Sequence, residues 1–333
     1  MFLIGFPKNS RIENVFAQTL LDASYTDAEL KVKVSATGSG KATVKLLDAK
    51  KQELCTLQAD VDNNGIANFT IAVKSPSKWT AEAPNLYHLL VSLDSEQYIS
   101  QRIGFRQVEM KDGLIKVNGK RIVFRGVNRH EHHPKFGRTV PLEFLKQDLL
   151  TMKRHNVNAI RTSHQLNDPR LYDLADEMGF WVMDEADLEC HGFEIIADKE
   201  LSPSQRELPF RERQLLTREK AAEWTTNNPD WTAAYVDRAE HLVKRDQLHP
   251  SIICWSLGNE AFFGQNFKAM YDHIKAYDDS RPIHYEADIF AETMDMYSRM
   301  YPPVDEIIKF AQDKEKKKPL VLCEFVSASL DLS

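Results

Sequence analysis

Ser251-Ile-Ile-Cys-Trp-Ser-Leu-Gly-Asn-Glu260 starts as an apolar run rich in β-branched residues and turns abruptly polar at its end. A run with no polar face reads as a strand covered on both sides, as in a parallel sheet wrapped by helices. In a parallel barrel the chemistry lies at the C-terminal ends of the strands. Pro319-Leu-Val-Leu-Cys-Glu324 has the same form. Two buried strands, each ending in Glu, would aim Glu260 and Glu324 into one pocket. Such a carboxylate pair is the equipment for cleaving a glycosidic bond. Glu324 alone reads equally well as a solvated strand end; the pair, in this pattern, does not.

Outward from these strands the sequence alternates between strand and helix. Arg121-Ile-Val-Phe-Arg-Gly-Val-Asn128 reads as a first buried strand, and Pro141 to Asn156 carries apolar residues at helical spacing. Asn158 to Arg161 and Gly179 to Asp184 are strands two and three, with a helix from Pro169 to Met178 between them. Gly192 to Pro229 is a polar, irregular insert, long enough to carry function or cover a site. A helix from Trp231 to Gln247 leads to strand four at Ser251. Further helices are expected from Phe267 to Tyr277 and from Pro303 to Lys316. Pro282 to Tyr285, Asp295 to Ser298 and Pro319 to Phe325 give strands five to seven. Seven strands of this type and no eighth describe an incomplete (β/α)8 TIM barrel over residues 107–333. Strands one and seven would then be unpaired where the eighth belongs, which argues for weak activity of the isolated chain.

Residues 1–106 differ. Glu29 to Val34, Ala42 to Leu47, Ile66 to Val73 and Tyr87 to Leu93 alternate polar and apolar residues, as half-buried strands do. Turn residues punctuate them at Gly38-Ser-Gly40, Asn63-Asn-Gly65 and Ala83-Pro-Asn85. The spacing predicts an immunoglobulin-like β-sandwich with a supporting role. Lys111-Asp-Gly113 and Asn118-Gly119 mark two tight turns of a small hairpin at the junction.

Composition narrows the function. The 333 residues are 42% hydrophobic and 28% charged, with a net charge of −6 and no Lys/Arg stripe, which argues against a nucleic-acid partner. No run is long enough to cross a membrane. Cys55, Cys190, Cys254 and Cys323 are far apart, without zinc or disulfide spacing, and Met1 to Phe6 is too short for a secretory leader. These features point to a reducing, cytoplasmic setting.

Polar groups gather where the strands end. Asn128-Arg-His-Glu-His-His-Pro134 follows strand one, Arg161-Thr-Ser-His164 strand two, and Asp184-Glu-Ala-Asp-Leu-Glu-Cys-His191 strand three. Asn259-Glu260 follows strand four, Met300-Tyr301 strand six, and Glu324 ends strand seven. Any one of these histidines would more often be a satisfied surface or core residue; their shared position is what singles them out. Glu189 and His191 would point the same way in extended structure. With Glu260 they offer a carboxylate-rich site that favours Mg²⁺ over Zn²⁺.

These motifs, with His249-Pro-Ser-Ile-Ile253 and Trp255-Ser-Leu-Gly-Asn-Glu260, resemble glycoside hydrolase family 2. Within it they look like the large intracellular β-galactosidases, and Gly104-Phe-Arg-Gln-Val108 is similar to fungal members. The resemblance implies hydrolysis of terminal β-D-galactosyl residues, as in lactose, with retention. It implies that Glu260 is the acid/base and Glu324 the nucleophile, with carboxyl groups about 5 Å apart. It implies that Glu189, His191 and Glu260 hold Mg²⁺, and that His130, His164, Asn259 and Tyr301 contact the sugar or orient the nucleophile. In full-length members a monovalent cation and oligomerisation are also implied.

The pattern departs in places. Gln165-Leu-Asn-Asp168 stands where the family commonly has Tyr-Pro-Asn-His, and Ser327 replaces a sugar-contacting His. Val326 to Ser333 looks foreign to the family. The family's N-terminal jelly roll, the end of the barrel and its C-terminal β domains are missing, so the chain reads as a fragment. The rival readings are another family 2 specificity, β-glucuronidase or β-mannosidase, and a non-catalytic truncated product. The His130-Glu-His-His133 cluster and the Glu189/His191 pair argue against the other specificities.

Overall fold

The computed structural model describes residues 5–325. Seven strands form the N-terminal sandwich: β1 Arg11–Leu21, β2 Ala28–Thr37, β3 Lys41–Leu47, β4 Glu53–Asp60, β5 Ile66–Val73, β6 Tyr87–Leu93 and β7 Gln97–Ile103. They make two antiparallel sheets, β1-β2-β5 and β4-β3-β6-β7. Their alternation sends Leu30, Val32, Val34, Val44, Leu46, Leu89 and Val91 into one core. Gly38-Ser-Gly40 therefore does not close a hairpin; it carries the chain from one sheet to the other.

A meander follows, of β8 Val108–Lys111, β9 Leu114–Val117 and β10 Lys120–Arg121. Its Met110 and Ile115, with Ile122 and Phe124, pack against Met183, Cys254, Met296 and Val321. The N-terminal mouth of the barrel is thus plugged by apolar side chains.

The barrel segment is β11 Gly126–Asn128, α1 Leu142–Arg154, β12 Ala159–Arg161, α2 Pro169–Met178 and β13 Trp181–Glu185. It continues with α3 Gly192–Lys199, α4 Pro203–Arg206, α5 Phe210–Ala222, α6 Thr232–Asp246, β14 Ile252–Ser256 and α7 Gln265–Tyr277. It ends with β15 Ile283–His284, β16 Tyr297–Met300, α8 Val304–Gln312 and β17 Leu320–Glu324. Strands β11 to β15 form one parallel sheet in sequence order, and β16 pairs with β17. The two sheets are joined by side chains: His284 Nε2 lies 2.8 Å from Ser298 Oγ, and the backbone N–H of Ile283 donates to Asp295 at 2.7 Å. Between β11 and β17 there is no strand pairing among the described residues; the Asn128 side-chain amide donates to the Cys323 carbonyl at 3.0 Å.

Two expectations change here. The first strand, expected to be buried from Arg121 to Asn128, is only three residues long, with Gly126 exposed and Val127 and Asn128 half-buried. Pairing with β12 alone leaves its other edge uncovered. The insert, expected to be irregular, contains α3, α4 and α5. Its core contacts run through Ala197, Ala221 and Ala222, small residues that leave no apolar stripe to read, packed with Phe262 from beyond β14.

The sandwich and barrel share a polar joint. Arg106, fully buried, donates through Nε to Pro250 O and through Nη2 to Ile252 O, both at 2.7 Å. Burial first, and then the like charge of Arg281, pull its guanidinium down to about 9. Trp79 donates to the Asp176 carbonyl at 3.0 Å and meets Trp181 edge-on.

Candidate active site

Inward-facing residues of a short parallel strand recur every second position, so each barrel strand contributes one or two groups at its C-terminal end. At the centre is Arg161, which closes β12 and is 5% exposed. Its Nε donates to Glu185 at 2.6 Å, one Nη to Glu324 at 3.0 Å and the other to Asn259 at 3.0 Å. One planar guanidinium thus joins the ends of β12, β13, β14 and β17. Burial works against its charge, but Glu185 foremost and Glu324 hold its pKa above the ordinary arginine value.

Glu185, wholly buried, is the group beneath the site. It takes Arg161 and Ser256 Oγ (2.7 Å) on one oxygen and meets His164 Nδ1 (2.7 Å) with the other. Ser256 Oγ also lies 2.9 Å from His284 Nδ1. Burial, then Arg161, push the His284 pKa well below the usual histidine value, so this ring is neutral and links the two serines Ser256 and Ser298.

Glu324 receives Arg161 on one oxygen and the Tyr301 hydroxyl on the other. That hydrogen bond is the main reason the Tyr301 phenol is pushed up to about 12. His130 and His164 stand edge-to-face with ring centroids 5.1 Å apart. Burial, then His164, lower the His130 pKa against the opposing pull of Glu324 and Glu189.

Glu260 lies beyond β14, on a backbone with φ of +32°, and Tyr301 beyond β16 has φ of +48°. Left-handed non-glycine residues are uncommon and cluster where a fold aims functional side chains. Gly258, at φ +147°, is needed there: a Cβ would meet Leu188 O at 2.6 Å, and that carbonyl accepts the Asn259 N–H at 2.8 Å. Glu260 meets His191 Nδ1 at 2.5 Å, which is the chief cause of the raised His191 pKa. Beside it Glu286, 6% exposed, is pushed up to about 7 by burial; Arg218 and Arg161 oppose the shift, while Glu260 and Glu324 add to it.

The structure therefore gathers His130, His164, Asn259, Tyr301 and Glu324 around Arg161 and Glu185, with Glu260 directly after Asn259. Glu189 and His191 are not on one extended segment: His191 has helical backbone, φ −46° and ψ −36°, as α3 begins. As a donor set, two carboxylates and an imidazole suit a divalent cation. His191 and Glu260 are in contact, whereas Glu189 is exposed and, among the described residues, hydrogen-bonds to neither. Its charge still acts on both His130 and His191. Among the described residues, the acidic and histidine trio whose ligand atoms all lie within 4.8 Å of one another is Asp173, Asp176 and His249, at the sandwich joint. Its atoms already serve Ser251, Arg102 and each other. Ser327 and the segment Val326 to Ser333 lie outside the described residues.

Sequence reading missed Arg161, Glu185, His284 and Glu286 as site residues. Arg161 and Glu185 end strands two and three, and Glu286 follows the apolar run of strand five, so position at a strand end was the available signal.

An antiparallel sandwich on a parallel barrel, with acidic groups converging at the strand ends, is the frame of a multidomain glycoside hydrolase. The sequence profile described as the TIM barrel domain of glycosyl hydrolases family 2 matches residues 108–332, and that of glycosyl hydrolases family 2 matches residues 10–106. The chain belongs to glycosyl hydrolases family 2. A β-galactosidase of Kluyveromyces lactis is 43% identical over 97% of this chain and 34% of its own length. One from Vibrio cholerae is 37% identical over 95% of this chain and 31% of its own. The chain thus spans about a third of the curated relatives it matches. Among solved structures, a β-glucuronidase of Ruminococcus gnavus superposes with a TM-score of 0.73 at 24% identity, over 95% of this chain and 54% of that one. At that identity the likeness concerns the fold. No helix among the described residues is long and apolar enough to cross a membrane.

Proposed function

We propose that the chain carries the reaction centre of a retaining β-galactosidase, with Glu260 as acid/base and Glu324 as nucleophile. The observation that carries this reading is the guanidinium of Arg161, which holds Glu324 and Asn259, the neighbour of Glu260, in one cluster. A nucleophilic carboxylate must be aimed at the anomeric carbon and must not rotate. Arg161 and Tyr301 occupy one oxygen each and fix the plane of Glu324. When the galactosyl–Glu324 bond forms, Glu324 loses negative charge and Tyr301 and Arg161 remain aimed at its oxygens. Glu260 gives its proton to the leaving oxygen, then takes one from the water that releases galactose. His130, His164 and Asn259 face the same space as groups for the sugar hydroxyls. The galactoside specificity is supported by the names of the relatives at 43% and 37% identity.

Glu189, His191 and Glu260 are proposed to hold Mg²⁺, which when bound would ease proton release from Glu260 and anchor the loop before α3. A cytoplasmic setting is supported by four free, dispersed cysteines.

The test is a 2-deoxy-2-fluorogalactosyl fluoride, which traps the glycosyl-enzyme and needs only one turnover. Covalent labelling at Glu324, absent in Glu324→Gln, is expected. Labelling by the glucuronosyl reagent in place of the galactosyl one would overturn the specificity. A label on any other residue would overturn the assignment of the nucleophile.

A further inference from the structure

Side chains alternate along β13, so Glu185 points into the barrel and its neighbour Asp184 points out, toward α2 and α6. Asp184 has no exposed surface. Its Oδ1 accepts the Thr162 hydroxyl at 3.1 Å and also the Tyr172 hydroxyl. Its Oδ2 is buried, and no donor among the described residues reaches it. Both partners of Asp184 are therefore neutral hydroxyls; burial pushes the Tyr172 phenol well above its usual range. The carboxyl of Asp246, on α6, lies within hydrogen-bonding reach of Asp184. Asp246 is also buried but has a cation of its own: Arg245 donates to it through Nε at 2.8 Å and Nη2 at 2.6 Å.

We infer that Asp184 is a neutral carboxylic acid that donates its proton from Oδ2 to Asp246, and that it is a positioning residue for the reaction centre. An ionised Asp184 would keep a charged oxygen buried without a donor, a costly arrangement inside a fold. Two buried carboxyls side by side avoid that by holding one proton between them. Burial, and then the charge of Asp246, push the Asp184 carboxyl well above the usual carboxylate range, against the pull of Tyr172 and Arg245. The positioning runs through Thr162. Its buried hydroxyl gives its only proton to Asp184 and accepts the backbone N–H of Glu185 at 2.9 Å. A proton on Oδ2 leaves Oδ1 as the acceptor, so the Thr162 hydroxyl is turned one way only. Glu185 is thereby pinned, and it holds Arg161 Nε at 2.6 Å while the same guanidinium reaches Glu324. This role rests on the assignment of Glu324 as the nucleophile; the protonation of Asp184 does not.

The experiment has two arms, both on the whole chain. In the first, infrared difference spectra between the unsubstituted chain and Asp184→Asn at neutral pH should show the loss of one protonated carboxyl. In the second, Asp184→Ala should slow labelling by the 2-deoxy-2-fluorogalactosyl fluoride about tenfold through misplacement of Glu324. Asp184→Asn should rescue it, since the amide keeps an acceptor for Thr162 and an N–H for Asp246. Thr162→Val cuts the link with Asp184 and Asp246 in place, and should also slow labelling about tenfold, which covers the case of an Asp184→Ala that does not fold. A readout independent of activity is the ¹⁵N shift of the His164 ring, whose Nδ1 meets Glu185 at 2.7 Å: Thr162→Val should move it and Thr162→Ser should not. No protonated carboxyl lost, or Asp184→Asn as slow as Thr162→Val, would overturn the neutral acid. Labelling and a His164 shift that both ignore Thr162→Val would overturn the positioning role. An unsubstituted chain that takes no label, with the His164 shift following the substitutions, would sustain the link to Glu185 and sink the galactosidase reading instead.

Discussion

Arg161 serves four strand ends, so its loss separates into two effects. Arg161→Met leaves Glu185 buried without its counter-charge, a loss of about 3–5 kcal/mol when one partner of a buried pair is removed. It also frees one oxygen of Glu324. We expect the rate of fluorosugar labelling to fall by about 10²–10³, the usual effect of deleting one preorganised donor. Adding Glu185→Leu should restore folding, read by denaturant midpoint, without restoring labelling. Recovery of both would show that Arg161 matters only for stability. A crystal structure of the free enzyme should also place the Glu260 and Glu324 carboxyls about 5 Å apart; about 6.5–9.5 Å would indicate inversion. At this scale the acidic pair was legible because Glu ending an apolar strand is conspicuous. Arg161 and Glu185 were not, because a charge at a strand end reads as solvated, and only the hydrogen bonds of Arg161 to Glu185, Asn259 and Glu324 in the folded barrel segment show that both point inward.

Helix α2 shows what makes an element legible. Asp168 caps it and accepts the Arg170 N–H at 2.9 Å, Pro169 opens it, and Gly179 ends it at φ +77°. All three signals are local, and the expected and observed limits coincide. The insert lacks such signals: α5 is polar on most sides and is held by alanine contacts that exist only once Phe262 is in place. The α2 carboxylate Asp176 reaches across to His249, with Nδ1 2.6 Å from Oδ2. Burial disfavours the imidazolium, but Asp176, then Asp246 and Asp173, outweigh it, and the pKa of His249 is raised from 6.5. Native His249 therefore holds its proton more tightly than the unfolded chain does. Its contribution is complete below about pH 6.5 and is lost as pH rises through the folded pKa. Urea midpoints should fall across that window, and His249→Gln should flatten the slope. An unchanged slope would remove this pair as its source.

Over the whole molecule, sandwich and barrel share buried polar contacts and should unfold together. Arg106→Met removes the donors to Pro250 O and Ile252 O; the latter keeps Arg281 Nε at 2.8 Å, so one carbonyl is orphaned. A loss of about 1–3 kcal/mol is expected by chemical denaturation. A change below about 0.5 kcal/mol would mean the joint contributes little. The two-part architecture was readable because the hydrophobic period switches from two to the helical value near Gly104. The joint was not, since Arg106 and Pro250 are 144 positions apart.

The hub at Arg161 also sets an order of events during synthesis. Its partners are spaced 24, 98 and 163 residues downstream. As the chain leaves the ribosome, residues 11–103 hold every strand of the sandwich and can fold early. The barrel interior must wait: until residue 324 emerges, Tyr301 has no carboxylate to meet and the guanidinium is incompletely matched. Nascent chains arrested with residue 300 just outside the exit tunnel should yield a protease-resistant fragment ending near residue 106, and no resistant barrel.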